Sequence, residues 1–534
     1  MTTLRTDVLV LGGGPAGTWA AVAAARAGAS VVLADKGYVG TSGAAAAGGN
    51  NVWHVGPEGE ARDASIRARE VGGGHLTDRR WMERTVETTW RQVGQLDAWG
   101  YPFPTDPAGT VRRSSLQGPQ YMRLMRLQVQ RAGVTILDQS PALELLIDAD
   151  GVVSGAAGVH RQRGNDPWRV EAGAVIVATG GCAFLSGALG CNPDTGDGHL
   201  MAAEVGATFS GMEFSSAYGM APVFGAQTKG RIYQFAHYYR EDGTRFDVAP
   251  GFAGRAQINR ALVTERVFAR LDLVPEHLRE QVRWAQPNFF LPYDKARIDP
   301  FTDLFEIRMV LEGTVRGTGG LVLTGEGCET TVPGLYAAGD AATRELITGA
   351  MSGGGSHNGA WAISSGTWSG AAAAAFARGR SGLGAAAGAA GVAGTATVGT
   401  GAGTVDPGEV IAAVKAEVEP LERNLFRTAA GLADSLLRLE DLWHVAVPGL
   451  DARQSPQRAR EAAAMVAHAR WMYHAALARP ESRGLHRRDD HPGTDPRQGH
   501  RLLTWGLDHV RVAVDENRPL LSDAVHTDLE ELVS

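Results

Sequence analysis

The feature that most constrains the fold is a glycine-rich loop that follows a short apolar run near the start of the chain. Residues 7–37 read DVLVLGGGPAGTWAAVAAARAGASVVLADKG, in which Gly12, Gly14 and Gly17 fit the pattern G-x-G-x-x-G. The apolar residues before them predict a strand buried on both faces. The first glycine permits a tight turn, the second lets backbone approach a phosphate, and the third lets a helix lie close to the strand.

The residues after the glycines complete a βαβ unit. The alanine-rich run from Ala20 to Ala27 predicts a helix, and Gly28 predicts its end. A second apolar strand ends at Asp35, where an acid can hydrogen-bond a ribose hydroxyl. The helix amino terminus offers free N–H groups to a pyrophosphate. Together these features predict a dinucleotide-binding site; the alternative is a glycine-rich turn in some other α/β protein.

Length, charge and cysteine content narrow the class of protein. At 534 residues the chain has room for several domains, and a net charge of −7 does not suggest a nucleic-acid binder. No apolar run approaches the roughly 18–20 residues that cross a bilayer. The amino terminus shows no signal-peptide cleavage region, so we expect a cytoplasmic protein.

The three cysteines do not form a metal-binding motif. Cys182, Cys191 and Cys328 include no C-x-x-C pair, so we expect no metal in this chain. We expect Cys182 and Cys191 to be buried thiols, with a disulfide between them as the alternative.

The pattern of strands and composition divides the chain into parts. Strand–glycine patterns recur after residue 172 and after residue 318, which predicts an α/β, Rossmann-like domain over residues 1–215 and 310–378. Residues 216–309 are rich in aromatic side chains and arginine and predict an inserted α+β domain that covers a site. Residues 379–406 predict a Gly/Ala-rich linker, and the apolar stripes within residues 407–534 predict a C-terminal helical bundle.

Four separated blocks carry a resemblance that extends over nearly the whole chain. They are GGGPAG (12–17), ATGGC with NPDTGDGHLMAAEVGA (178–182 and 192–207), VPGLYAAGDAA with SGGGSHNGAWAISSG (332–342 and 352–366), and SRGLHRRDD (482–490). In order and spacing they resemble the flavoprotein subunits of fumarate reductase, succinate dehydrogenase, L-aspartate oxidase and adenylylsulfate reductase. The segment SGAAAAGG, which begins at Ser42, is most similar to the adenylylsulfate reductase α-subunit.

The resemblance implies an FAD-binding domain, a mobile capping domain and a helical domain. It places the FAD pyrophosphate at the first glycine loop, the adenosine ribose at Asp35, the ribityl chain at Asp340 and the isoalloxazine ring near Ser356. The cofactor-binding residues that it implies are Gly12, Gly14, Pro15, Ala16, Gly17, Asp35, Lys36, Ser42, Gly43, Gly48, Gly49, Ala178, Thr179, Gly180, Asp197, Gly339, Asp340, Gly355 and Ser356.

Departures from the family pattern bear on flavin attachment and substrate. Ser42 stands where several relatives carry a histidine that is covalently bound to FAD, so we expect noncovalent FAD. The residues with which dicarboxylate-using relatives hold their substrate correspond approximately to Val315, Ser352 and Tyr218 here. Bidentate capture of a carboxylate by arginine is therefore missing where the family has it, which argues against succinate, fumarate or aspartate.

Four residues are candidates for catalysis. Arg231 lies near an arginine that the resemblance identifies as a proton donor, and His357 follows Ser356 beside the expected flavin ring. Arg483 and His486 belong to the last block, where relatives bring the helical domain towards the substrate. The alternatives are a surface arginine for Arg231, a structural histidine for His357, and an interdomain ion pair for the last two.

These observations predict an FAD-dependent oxidoreductase that transfers a hydride or an electron pair to or from a small polar substrate under a mobile cap. One alternative is a flavoprotein subunit, similar to that of adenylylsulfate reductase, that needs a ferredoxin-like iron–sulfur partner. A further alternative is a dicarboxylate oxidoreductase, and another is a flavin-binding protein that has lost its chemistry.

Overall fold

The structure is a computed structural model that describes residues 2–105, 109–228, 231–249, 251–351, 356–380, 387–388 and 403–516. It combines a large mixed sheet, a smaller antiparallel sheet and a C-terminal group of helices, which confirms the predicted α/β class. No helix in this described part of the chain is long and apolar enough to cross a membrane.

The first segment of the chain supplies most of the large sheet. Its elements are β1 (Thr2–Leu11), α1 (Pro15–Arg26), β2 (Val31–Ala34), β3 (Gly49–Asn51), α2 (Glu60–Gly72), α3 (Arg79–Ala98), β4 (Ser115–Gln117), α4 (Gly118–Arg131), β5 (Thr135–Leu137), β6 (Ala142–Ile147), β7 (Val153–His160), β8 (Asp166–Val177), α5 (Asp197–Glu204) and β9 (Phe209–Ser210). β1 lies between the parallel strands β2 and β8, as the buried apolar run before Gly12 predicts. β6, β7 and β8 form an antiparallel meander.

The second segment forms a separate five-stranded sheet, which we call the cap. Its elements are β10 (Tyr218–Pro222), β11 (His237–Tyr239), β12 (Arg245–Phe246), α6 (Gly251–Thr264), β13 (Val267–Arg270), α7 (Arg279–Ala285), α8 (Pro287–Ala296) and β14 (Phe305–Leu311). The strands lie in the order β10, β14, β13, β11, β12 and are all antiparallel. The aromatic residues that mark this segment in the sequence pack into its core, with Tyr233, Phe289 and Tyr293 at the centre.

The third segment returns to the large sheet. Its elements are α9 (Gly313–Arg316), β15 (Gly320–Leu321), β16 (Leu335–Ala337), α10 (Glu345–Thr348), α11 (His357–Gly379) and β17 (Ala387–Gly388). β16 pairs parallel with β8, and the large sheet runs β17, β6, β7, β8, β1, β2, β5. Most of the predicted linker lies outside the described residues.

α11 packs closely against α1 because two of its glycines remove side chains from the contact. A Cβ on Gly366 would overlap the backbone of Ala16, and a Cβ on Gly370 would overlap the backbone of Ala20. The residue numbers increase together in the two contacts, from Ala16 to Ala20 in α1 and from Gly366 to Gly370 in α11, so the two helices run in the same direction. α11 begins nine residues before Gly366, and its amino end therefore projects roughly 14 Å beyond Ala16.

The C-terminal segment is helical, as the apolar stripes predict, but it also contains two strands. Its elements are α12 (Pro407–Val418), α13 (Leu421–Asn424), α14 (Ala429–Asp441), α15 (Pro456–Ala478), β18 (Leu502–Trp505) and β19 (Arg511–Val514). β18 pairs with β9 of the first segment. α15 is buried on almost every side, and its Arg460 forms an ion pair with Glu204 of α5. The segment is thus joined to the first segment of the chain through a separate four-stranded sheet, in the order β15, β9, β18, β19, and through the contact of α15 with α5.

Four parallel strands of the large sheet end at one edge, which we call the carboxyl edge. The residues that follow β1, β2, β8 and β16 there include Gly12, Asp35, Ala178 and Gly339. Ligands of open α/β sheets bind outside such an edge. The topology therefore gathers residues that are far apart in the sequence into one place.

Candidate functional site

A cavity of about 1510 Å³ runs from the carboxyl edge to the cap and the C-terminal segment. It exceeds the ~300–1,000 Å³ typical of a small-molecule pocket, so it has room for a dinucleotide with a second ligand. The predicted residues that line it are Gly12, Gly14, Pro15, Ala16, Asp35, Lys36, Ser42, Gly43, Gly49, Ala178, Thr179, Gly180, Asp197, Gly339, Asp340, Ser356 and His357.

Two of the predicted cofactor residues, Gly17 and Gly48, do not belong to that lining. A Cβ on Gly17 would overlap the carbonyl oxygen of Gly12, so this glycine serves the contact between α1 and the loop. The carbonyl oxygen of Gly48 accepts a hydrogen bond from the Gly118 N–H at 2.9 Å. Gly355 lies outside the described residues.

The glycine loop is held by the carboxylate of Asp35. Its two oxygens accept hydrogen bonds from the Gly13 N–H at 2.5 Å, the Gly37 N–H at 2.7 Å and the Ser42 hydroxyl at 2.8 Å. Gly14 faces open cavity, with no atom within 4 Å of a Cβ built on it. The loop therefore presents bare backbone and the amino end of α1 to a ligand. The ribose contact of Asp35 stays a prediction.

Lys36 lies in an acidic setting beside that loop. Its ammonium group lies 2.5 Å from Asp197 at the start of α5 and 3.2 Å from Glu461 of α15. Burial alone would lower the pKa of Lys36, but Asp197 and Glu461 outweigh it and raise the pKa well above its usual value. This triad links the cavity wall to the C-terminal segment.

Asp340 is positioned by a buried arginine. Arg344, one helical turn further on, is fully buried and forms an ion pair with Asp340. Its guanidinium also donates to the carbonyl oxygens of Thr314 and Gly317. Burial lowers the pKa of Arg344, which Asp340 partly offsets. Arg344 thus supports the cavity wall from behind, and only Asp340 of this pair reaches the cavity.

The amino end of α11 brings His357 to the cavity together with a residue that the sequence did not single out. The Arg69 guanidinium of α2 donates through Nε to His357 Nε2 at 2.6 Å and approaches the Ser356 hydroxyl at 3.3 Å. It also lies 4.0 Å from the ring centroid of Trp53. Arg69 lines the cavity, and burial lowers its pKa to about 10. Arg69 is one of many charged residues on the polar helix α2, and nothing in the sequence distinguishes it from the others.

The other predicted catalytic residues lie elsewhere. Arg483 is buried, forms an ion pair with Glu481 at 2.7 Å and donates to the Gly74 carbonyl oxygen at 2.6 Å. His486 is buried between Arg427 Nη1 at 2.9 Å and the Arg479 carbonyl oxygen at 2.9 Å. Burial, and then Arg427, lowers the pKa of His486 well below its usual value.

Neither Arg483 nor His486 lines the cavity, although Gly484, Leu485 and Arg487 beside them do. The geometry favours the alternative reading, a link between the C-terminal segment and the rest of the chain. Arg231 begins a short 3-10 helix, and its side chain lies outside what the structure describes. Its catalytic role stays a prediction.

A second residue that the sequence missed is Arg255, on α6 of the cap. Its side chain lines the cavity, and no carboxylate of the described residues lies within ion-pair distance of it. Burial lowers the pKa of Arg255, while Tyr238 raises it. An arginine without a fixed carboxylate partner can bind an anionic ligand by two parallel hydrogen bonds. Its sequence context, one arginine among many in the cap, did not identify it.

Comparison with known proteins assigns the chain to a class of flavoproteins. Residues 7–357, well over half of the chain, match the family described as FAD binding domain, and residues 422–519 match the one described as Fumarate reductase flavoprotein C-term. The chain belongs to the FAD-binding domain family, and its cofactor is FAD.

Individual proteins agree with this assignment. The fumarate reductase flavoprotein subunit of Mycobacterium tuberculosis is 28% identical over 393 residues, which cover 64% of this chain and 65% of the relative. The chain thus matches just under two thirds of the length of such curated relatives.

Solved structures share the fold at lower identity. A quinol-fumarate reductase with menaquinol molecules superimposes with a TM-score of 0.82 at 21% identity and covers 98% of this chain and 100% of its own. Adenylylsulfate reductase from Archaeoglobus fulgidus gives 0.77 at 18% identity, covering 97% of each chain. The superfamily and the cofactor that the four sequence blocks imply are confirmed.

Proposed function

We propose that this chain is an FAD-dependent oxidoreductase that binds FAD noncovalently and exchanges a hydride or an electron pair with a small polar substrate beneath the cap. The observation that carries the proposal is the continuous cavity, whose wall includes both the bare glycine loop and Arg255 of the cap. The first suits a pyrophosphate and the second suits an anionic group of a substrate.

The residues at the carboxyl edge fit FAD. Gly14 leaves space where a phosphate would approach, and α1 points its amino end there. Asp340, held by Arg344, and the amino end of α11 continue the wall in the direction away from Lys36. When bound, FAD supplies an isoalloxazine ring that accepts or gives a hydride.

Noncovalent attachment is supported by the setting of Ser42. Its hydroxyl donates to Asp35 at 2.8 Å and lies 3.2 Å from the Tyr38 carbonyl oxygen. A serine hydroxyl is a weak nucleophile at its ordinary pKa, and this one is engaged in holding the loop.

The cap would exclude water and hold the substrate. Arg255 is the described cap residue best suited to donate hydrogen bonds to a substrate anion. Tyr218 and Val315 line the cavity, but neither can replace the substrate-binding residues of dicarboxylate-using relatives. The Tyr218 hydroxyl already donates to the carbonyl oxygens of Val418 and Glu419, and Val315 has no polar side-chain group. A dicarboxylate substrate is therefore the less favoured variant of this proposal.

The alternative is a flavoprotein subunit that acts only beside an iron–sulfur protein. It is supported by the cysteines, because Cys182, Cys191 and Cys328 are all buried, lie outside any disulfide and carry no iron–sulfur cluster motif. Under this alternative, electrons would pass to the iron–sulfur partner, whereas the main proposal also allows oxygen or a free acceptor. Thiols that lie outside any disulfide also agree with the cytoplasmic location that we propose.

The test uses the FAD-loaded protein reduced under anaerobic conditions. Mixing it with a panel of small carboxylates and sulfur oxyanions should identify an acceptor that reoxidises the flavin, and Arg255→Gln should slow that step by at least about tenfold. Arg266→Gln is the matched control, because Arg266 pairs with Glu306 within the cap, outside the cavity. If reoxidation requires a ferredoxin-like protein with every substrate, the alternative holds instead.

A further inference from the structure

Arg69 is a positive charge built into the cavity wall without a carboxylate to balance it. Its guanidinium contacts the Ser65 carbonyl oxygen at 2.8 Å, His357 Nε2 at 2.6 Å and the face of Trp53 at 4.0 Å. None of the described carboxylates lies within ion-pair distance of it. A guanidinium in such a setting carries a field that acts on whatever binds beside it.

The contact with His357 also fixes the state of that imidazole. Because Arg69 Nε–H donates, His357 Nε2 must be the unprotonated ring nitrogen, and the ring proton then lies on Nδ1. Protonation of Nε2 would remove the hydrogen bond and bring two cations into contact. The edge of the His357 ring also packs against Trp53, with 5.5 Å between centroids. In this arrangement His357 accepts the hydrogen bond of Arg69 through Nε2 as a neutral imidazole.

The geometry places this pair at the flavin end of the cavity. The adenosine side is marked by Lys36 and by Ala142, which lines the cavity beyond Asp35. An extended FAD with its pyrophosphate at Ala16 must send its ring the other way, along α11. That helix begins roughly 14 Å beyond Ala16, and His357 and Arg69 lie at its amino end.

We propose that Arg69 is a positioning residue for the flavin, which makes the bound ring a stronger electron acceptor by placing an unbalanced positive charge beside it and by holding His357 as a neutral imidazole. This assignment of Arg69 rests on the proposed function in one respect, the position of the flavin ring in the cavity. The negative charge that the ring gains on reduction is stabilised by Arg69 together with the amino end of α11.

The experiment measures the flavin itself and needs no substrate. In FAD-loaded protein, Arg69→Gln should lower the midpoint potential of the flavin and raise the dissociation constant for sulfite by at least about tenfold. Sulfite adds to oxidised flavins that neighbouring positive charge makes electron-poor. Arg69→Lys keeps the charge and should restore most of the sulfite affinity. Arg67→Gln, an exposed arginine on the same helix, is the control and should leave both values unchanged.

The other possible results for the Arg69 variants and the wild-type protein each decide for or against the role of Arg69 or the proposed function. Unchanged potential and sulfite affinity in FAD-loaded Arg69→Gln would overturn the proposal, as would equal losses in the Gln and Lys variants. If Gln and Lys variants both fail to hold FAD, Arg69 is a structural residue and the proposal is again overturned. If the midpoint potential and the sulfite affinity change in the variants as expected, but the wild-type protein turns over no substrate, the proposed function fails and the assignment of Arg69 stands.

Discussion

At the scale of single residues, the glycines of the first loop divide into two kinds. Gly17 is required by the fold, because a Cβ there would overlap the carbonyl oxygen of Gly12. Gly14 has free space around it and an ordinary backbone conformation, with φ −71°. A ligand that approaches its backbone explains a glycine at position 14, where it also caps α1.

This difference predicts opposite results for two similar variants. Gly14→Ala should fold with a loss below about 1 kcal/mol, since it changes only the cap of α1, yet it should bind FAD at least about tenfold more weakly. Gly17→Ala should lower the free energy of unfolding of the apoprotein by about 1–3 kcal/mol through steric overlap. Urea unfolding and FAD titration separate the two. Tight FAD binding by Gly14→Ala would contradict the placement of the pyrophosphate.

At this scale, sequence motifs predict the position of a residue where that position is tied to backbone geometry. The loop glycines, Asp35 and Asp340 follow strands that end at one edge, and short motifs encode such positions. The sequence did not identify Arg69 and Arg255, because a lone arginine on a helix belongs to no recognisable motif. Arg483 and His486 carried a strong motif, but the structure places their side chains in buried contacts away from the cavity.

At the scale of elements, the contact between α1 and α11 sets the shape of the cavity. Gly370→Ala should lower the free energy of unfolding by about 1–3 kcal/mol, because its Cβ would overlap the backbone of Ala20. The matched control is Gly94→Ala in the exposed part of α3, where nothing lies within 4 Å of a Cβ. That variant should be more stable than wild type by roughly 0.5–1 kcal/mol. Equal changes in the free energy of unfolding for Gly370→Ala and Gly94→Ala would contradict the close packing of α1 against α11.

Two buried histidines join α5 to α15. His199 and His468 are stacked with 5.2 Å between ring centroids, and their Nδ1 atoms lie 3.4 Å apart. Burial lowers the pKa of His199 to about 4 and the pKa of His468 well below its usual value. The unfolded chain therefore binds more protons, so stability is full at neutral pH and is lost as the pH falls towards these values.

The pair predicts a specific acid sensitivity. From about pH 7 to about pH 5, His199 alone should account for about 2 kcal/mol of lost unfolding free energy. His468→Gln should flatten the pH dependence measured by urea unfolding, whereas His509→Gln, in the exposed turn between β18 and β19, should not. An unchanged slope in His468→Gln would contradict this account of the pair.

The strands β18 and β19 show why elements of the C-terminal segment were harder to predict. The segment reads as helical up to Ala478, and the two four-residue strands beyond it carry too few residues for a clear alternation. The pairing of β18 with β9 depends on a partner almost 300 residues away, which no local pattern contains.

At the scale of the whole molecule, the cap and the C-terminal segment meet across the cavity. Arg260 of α6 forms an ion pair with Asp489 and lies 3.6 Å from the ring centroid of Phe426. An exposed ion pair contributes about 0–1 kcal/mol, and a cation–π contact adds a similar amount. This contact is weak enough to break if the cap opens.

Arg260→Ala should therefore open the cap more often without unfolding the protein. Iodide should quench the flavin fluorescence of the FAD-loaded variant a few-fold more efficiently, as expected for a shift of about 1 kcal/mol. Arg266→Ala removes ion pairs that lie within the cap and serves as the control. Equal quenching in wild type and Arg260→Ala would show that this contact does not hold the cap.

The central claim is that the carboxyl edge of the large sheet holds FAD without a covalent bond. The most direct test is the visible absorption spectrum of the purified protein, repeated on the supernatant after acid precipitation. The account predicts bands of oxidised flavin that pass entirely into the supernatant. Colour retained in the pellet would contradict the role of Ser42, and a colourless protein that takes up no added FAD would contradict the whole site from Gly12 to Asp340.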